Sequence, residues 1–283
     1  LAVGENDDIL LAAGDVDVVV LAEIADAVNG KPYTVAAVRR ANKQKNPAAP
    51  FTTSSLQQEA FRKLGFQSQR TMKVAQELYE GVNLGSEFGG TQGLITYMRT
   101  DSVSLSALAI NTAKAAIVEE YGDKYHKSRQ YHTKSKGAQE AHEAIRPSYM
   151  NKAVAGANSD ERKLYDLIRK RAIASQMADA QIDTTRVEVA MSHSPYLWTA
   201  THEVVTFDGF MRAYTQAADE ELTANNQAAI ALLQENVNCH LSSVNAQETF
   251  TKAPARYNEG SLVGKMEELE IGRPSTLNTV VET

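Results

Sequence analysis

The segments TTRVEVAM (184–191) and YLWTATHEVVTF (196–207) alternate apolar and polar side chains with a period near two. That spacing sends successive side chains to opposite faces of an extended strand. NVNCHLSSV (236–244) alternates in the same way. The chain before these segments reads differently. In SSLQQEAFRKL (54–64), Leu56, Ala60 and Leu64 share one helical face, Ser55 is a candidate cap and Gln58 sits three residues on. Residues 68–80 repeat the arrangement, with Ser68 as cap and Met72, Ala75, Leu78 and Tyr79 following. Residues 104–120 read as helical, and so do 159–175, where Ser159 caps and acids occupy the first turn. A further helix covers 258–270, and after Gly272 Ser275 can cap another, a helix-turn-helix pattern. Strand-like flanks therefore enclose a helical middle. The expected class is α+β, with the helical part inserted into a β-rich domain.

Composition bounds what such a chain can be. The 283 residues are 43% hydrophobic and 23% charged, the balance of a soluble globular protein of one to three domains. No window approaches about 18 unbroken apolar residues, so no membrane span is expected. The start, LAVGENDDILL, lacks the basic region of a signal peptide. A lone cysteine, Cys239, excludes a disulfide framework within the chain and any Cys-based zinc cluster, and it suits a reducing cytoplasm. KQKNPAAPF (43–51), with two prolines, reads as a linker.

Charge is unevenly placed. The net charge is −6, yet residues 51–177 hold 18 Lys and Arg against 13 Asp and Glu, a net of +5, and the remainder holds 11 against 22. Binding follows the local field, so an anionic partner suits the middle segment only. The densest basic stretch, YGDKYHKSRQYHTKSKG (121–137), interleaves Tyr121, Tyr125 and Tyr131 with Lys124, Lys127, Arg129, Lys134 and Lys136. Cations with aromatic faces suit single-stranded nucleic acid. A solvated loop of polar tyrosines and lysines has the same composition.

Two segments carry candidate chemistry. In QGLITYMRTDS (92–102), an extended backbone would project Tyr97 and Arg99 together, with Asp101 behind them. A phenol is a weak nucleophile at neutral pH, and a neighbouring cation favours its ionised form. A guanidinium also grips phosphate oxygens with paired hydrogen bonds. In AQEAHEAIRPS (138–148), one helical turn would place His142 and Arg146 on a single face, with Pro147 ending the helix. The glycine-rich NLGSEFGGTQG (83–93) lacks the Gly-Lys-Ser/Thr of a phosphate loop. Taken singly, each segment also fits an ordinary charged surface.

Together they resemble the signature segments of the bacterial type IA DNA topoisomerase family. FTTSSLQQEAFRKLGFQSQRTMKVAQELYEG (51–81) is similar to the stretch before that family's nucleophile, and APARYNEGSLVGKMEELEIGRPST (253–276) to a stretch further on. The resemblance covers about residues 45–283, in order. It implies that Tyr97 forms a 5′-phosphotyrosyl link to single-stranded DNA, that Arg99 stabilises the scissile phosphate, and that His142 acts beside them. It also implies that Arg146, Thr100, Asp101, Arg273, Ser275 and Thr276 contact DNA. The implied activity is ATP-independent relaxation of negatively supercoiled DNA by a monomer in the bacterial cytoplasm, at the nucleoid. The implied cofactor is Mg2+, bound by a Toprim domain that this chain lacks, since Asp15 and Asp17 in GDVDVVV are the nearest approach to its acidic cluster. The family's zinc ribbons are absent too. A central piece of a longer protein, inactive alone, is therefore expected. Its domains would be a β-rich arch (1–50 and 178–250), a helical winged-helix-like domain with Tyr97 (51–177), and part of a helical DNA-binding domain (251–283). Two rivals stand beside this reading: a non-catalytic single-strand-binding module, recognised by salt-dependent binding without an adduct, and a structural hinge piece with no affinity for DNA.

Overall fold

A computed structural model of the chain describes residues 30–83, 90–132, 142–192, 197–215, 233–241 and 253–282. In chain order its elements are β1 (Tyr33–Lys45), α1 (Thr53–Leu64), α2 (Ser68–Glu80), the two-residue strands β2 (Val82–Asn83) and β3 (Thr91–Gln92), and α3 (Ala107–Tyr121). There follow α4 (Ser159–Ser175), β4 (Ala180–Met191), β5 (Leu197–Phe207), β6 (Asn238–Cys239), α5 (Glu259–Glu268) and α6 (Leu277–Glu282). The chain divides into two compact units. A sheet unit takes residues up to Gln44, Gln181–Phe207 and Glu221–Pro254, and a helical unit takes Lys45–Ala180, Asp208–Glu220 and Ala255–Thr283.

The sheet unit holds four strands in the order β5-β4-β1-β6. β4 and β5 form a long antiparallel ladder in which Val187 faces Ala200 and Val189 faces Trp198. The period-two pattern works as expected: Val187 and Val189 are buried with Tyr33 and Val35, while Arg186 before them is exposed and Glu188 between them is partly exposed. Burying one such side chain contributes about 1.5–3 kcal/mol. A slip of one residue would turn both valines outward, so the pattern fixes the register. The ring of Trp198 stands edge-on to Tyr33, 6.5 Å between centroids. Across the strands, Lys43 pairs with Glu203 and Asn42 donates to Asp183, each at 2.8 Å. The sequence reading did not single out β1, because beyond Val35 its residues are mostly exposed and carry no alternation.

In the helical unit α4 is central, burying Leu164, Tyr165, Leu167, Ile168, Ala172 and Ile173. It packs against α1, α2 and α3. α5 lies on α1, and the approach is close because it presents glycines. A Cβ on Gly264 would stand 2.9 Å from Gln58, and one on Gly260 3.1 Å from Phe61. The helices fall where periodicity places them, but the caps sit one to three residues earlier. Thr52 caps α1, with Ser55 reciprocating as the third residue of a capping box, and Asn158 caps α4. Gln67, without a side-chain bond, precedes α2 in place of Ser68; the Ser68 amide instead donates to the Glu259 carboxylate at 2.8 Å.

Three further expectations are corrected. Residues 142–148 are extended, not helical: Ile145 bridges Phe51, Pro147 bridges Ile95, and the amides of Ala144, Ile145 and Ser148 donate to the carbonyls of Ser104, Phe51 and Leu94. LITYM forms no regular strand; only Ile95 makes a bridge. The proline segment is no loose linker either. Pro47 and Pro50 are buried, Tyr131 Oη donates to the Pro47 carbonyl at 3.1 Å, and Arg171 Nε donates to that of Ala49 at 2.6 Å. Ala255–Thr283 group with the helical unit in this division.

Candidate active site

Tyr97 stands on the short irregular passage between β3 and α3. Ile95, Met98 and Thr100 are buried, which leaves Tyr97, 36% exposed, as the side chain turned to solvent. The passage is fixed by hydrogen bonds, not by a ladder. Thr96 Oγ1 donates to the Ala144 carbonyl at 2.7 Å, the Thr96 amide donates to Arg146, and the Arg146 amide returns to Thr96 Oγ1 at 3.0 Å. On its other side the Thr53 hydroxyl donates to the Met98 carbonyl at 2.8 Å and receives the Thr100 amide at 2.9 Å. Residues 142–146 therefore come beside Tyr97 by extended pairing. The Tyr97 ring lies between two others, His142 at 5.8 Å and Tyr79 of α2 at 5.3 Å, the latter edge-on.

Arg99 is half-buried, and its Nη1 donates to Gln76 Oε1 of α2 at 3.2 Å. It lines a shallow open groove together with Gln69, Met72, Lys73, Gln76 and Glu77. The structure thus sets the rings of Tyr97 and His142 side by side, with Arg99 two residues along the chain and bound to α2. Sequence reading missed Tyr79 and Gln76 as neighbours of the site, although their spacing of three on a helix places them on one face.

The remaining candidates fare differently. Thr100 is buried, and its hydroxyl accepts the Ser102 amide at 3.0 Å, so its side chain serves the backbone turn. Asp101 is partly exposed. Arg146 is engaged by the Glu143 carboxylate and donates to its neighbour's carbonyl, Pro147, at 2.8 Å. Glu143 also accepts the Ser106 amide at the N-terminus of α3, at 2.5 Å. Burial pushes the Glu143 carboxyl up, but the Ser106 hydrogen bonds and the Arg146 charge outweigh it, leaving the group below its ordinary value. Arg273, Ser275 and Thr276 are exposed on a turn of their own before α6, closed by the Arg273 amide donating to Thr276 Oγ1 at 2.9 Å.

The basic tyrosine-rich stretch is not the open platform that its composition suggests. Tyr125 is buried, Tyr131 is hydrogen-bonded, and Lys127 and Arg129 both pair with Asp179. Lys134 and Lys136 lie outside the described residues, as do Asp15 and Asp17. Among the described residues no group of three or more His, Cys, Asp or Glu is placed to hold a metal ion, so the side chains described do not fit a Mg2+ site. No helix among them is long and apolar enough to cross a membrane.

The family described as DNA topoisomerase matches residues 17–283. DNA topoisomerase 1 of Rickettsia bellii is 42% identical over 265 residues, which are 92% of this chain and 33% of that protein. The enzyme of the same name from Zymomonas mobilis is 43% identical over 256 residues, 88% of this chain and 20% of that protein. In structure the chain is similar to full-length topoisomerase I from Thermotoga maritima, with a TM-score of 0.77 and 35% identity, over 94% of this chain and 42% of that one. The chain belongs to the type IA DNA topoisomerase family, and it spans about a third of the Rickettsia relative's length.

Proposed function

We propose that this chain carries the cleavage centre of a topoisomerase that relaxes negatively supercoiled DNA, with Tyr97 as its nucleophile. The observation that carries the reading is the setting of Tyr97: an exposed phenol between the buried Ile95 and Met98, flanked by His142 and followed two residues later by Arg99. Tyr97 Oη attacks the phosphorus of a phosphodiester in single-stranded DNA. The new P–Oη bond forms as the bond to the 3′-oxygen breaks, and the strand leaves as a free 3′-hydroxyl. The phenol's proton must depart and the 3′-oxygen must gain one; His142, its ring 5.8 Å from that of Tyr97, is a group able to relay it. Arg99, its guanidinium steadied by Gln76, stabilises the charge growing on the phosphate oxygens. The covalent link conserves the phosphodiester, so the 3′-hydroxyl reverses the attack without ATP.

Strand passage then requires the helical unit to separate from the rest of the enzyme. In this reading the sheet unit is part of the arch, and Arg273, Ser275 and Thr276 guide the single strand. Mg2+ belongs to a Toprim domain of the whole protein, and none of these steps is routed through it. The whole protein would act as a monomer in the bacterial cytoplasm, and residues 1–283 alone would not cleave. The test is Tyr97→Phe in the whole enzyme: single-strand binding persists while relaxation is lost. A covalent adduct formed by that variant overturns the assignment.

A further inference from the structure

Among the described residues the chain passes between the sheet unit and the helical unit at 44/45, 180/181, 207/208 and 254/255. On the helical side, the first three crossings are held by one short segment, residues 125–131, through alternate side chains. Tyr131 Oη lies 3.1 Å from the carbonyls of both Pro47 and Ser175, just after the first crossing and before the second. Lys127 and Arg129 both bind the Asp179 carboxylate, which is 4% exposed, and Arg129 also donates to the Met177 carbonyl. Tyr125 Oη donates to Asp208 at 2.8 Å, at the third crossing, and receives Arg212 at 3.3 Å.

The backbone joins in. The Lys127 amide donates to the Gln176 carbonyl and the Ala178 amide to that of Tyr125, while the buried Gln176 amide binds both backbone groups of Arg129 at 3.0 Å. Two crossings are also locked to each other. The Phe210 amide donates to the Ala178 carbonyl at 2.9 Å. Gly209, at φ +50, packs so closely that a Cβ would stand 2.5 Å from the Asp179 carbonyl.

We propose that residues 125–131 form a collar that fixes these three crossings to the helical unit. At these three crossings any flexing is thereby confined to the peptides at 44/45, 180/181 and 207/208, and the buried prolines 47 and 50 belong to the rigid side. The role of the collar in strand passage rests on the function proposed above. Removing one partner of a buried ion pair leaves the remaining charge short of donors, which is strongly destabilising. Coupling a hinge to a cleaved strand requires such a stiff base, because hinge residues that absorb motion change turnover without touching the chemistry.

The test uses Arg129→Met in the whole enzyme, with three readouts. Amide hydrogen exchange at 178–181 and 208–210 is expected to rise about tenfold. Covalent cleavage of a single-stranded oligonucleotide is expected to stay within about twofold of wild type, because Arg129 does not touch the reacting atoms. Relaxation of a supercoiled plasmid is expected to slow by about fivefold or more. Unchanged exchange overturns the collar, and so does unchanged relaxation with raised exchange, or cleavage falling in step with relaxation. A wild-type enzyme that forms no adduct overturns the nucleophile reading instead, and the exchange measurement then decides the collar by itself. If Arg129→Met does not accumulate as folded protein, Tyr125→Phe, which deletes a single hydroxyl, carries the same readouts.

Discussion

Two segments of the helical unit place tyrosine and arginine two residues apart, and they do opposite things. In residues 92–102, Tyr97 is exposed between two rings and Arg99 borders an open groove. In residues 121–131, the Arg129 guanidinium is taken up by a buried carboxylate and a carbonyl, and the Tyr131 hydroxyl by two carbonyls. By composition the second segment looked the better ligand for DNA, with more cations and more aromatic rings. Its hydrogen-bonding capacity is spent on the fold. A side chain is available for chemistry when burial and partners leave it so, which a count of residue types cannot register.

The sharpest way to break this contrast is a pair of hydroxyl deletions. Tyr97→Phe is expected to abolish the covalent adduct and relaxation, while Tyr131→Phe leaves adduct formation untouched; equal effects in a cleavage assay would erase the distinction. Next comes Arg99→Lys, which keeps the charge but loses the planar fork. Cleavage should fall about tenfold or more, since one transition-state donor is typically worth about 3 kcal/mol. Unchanged single-turnover rates would reduce Arg99 to a steering charge.

Smaller effects belong to the structural segment. Tyr125→Phe should lower the unfolding free energy by about 1 kcal/mol, read from the denaturant midpoint, through loss of its bond to Asp208. Glu143, between Ser106 and Arg146, gives a dependence on pH. Its carboxyl sits below the ordinary 4.5 when folded, so the stability it contributes is present above that value and is lost as pH falls through the folded value. The melting temperature of wild type should therefore drop more steeply below about pH 4.5 than that of Glu143→Gln. Parallel curves would mean that Glu143 adds nothing to the cap of α3.

Local periodicity placed α1 to α5 and the β4–β5 ladder, because each buries one face and its pattern is written within a dozen residues. It placed caps less well: Thr52 and Asn158 outcompete Ser55 and Ser159 for reasons of backbone geometry that neighbouring polar residues do not reveal. It misread 142–148, where QEAHEA suggests a helix. The extended form is imposed by partners at Phe51, Leu94, Thr96 and Ser104, tens of residues away in sequence. Tyr97, Arg99 and His142 were legible only as members of long motifs. Their nearest supports, Gln76 and Tyr79, and the occupied state of Arg146 emerge from tertiary pairing.

The central claim is that Tyr97 becomes bonded to DNA. The direct measurement is to incubate the whole enzyme with end-labelled single-stranded DNA, denature it, digest it and identify the labelled peptide. The label should reside on the phenolic oxygen of Tyr97, in the peptide containing GLITYMR, and residues 1–283 alone should acquire none. Label on any other residue, or an adduct formed by residues 1–283 alone, would contradict the account.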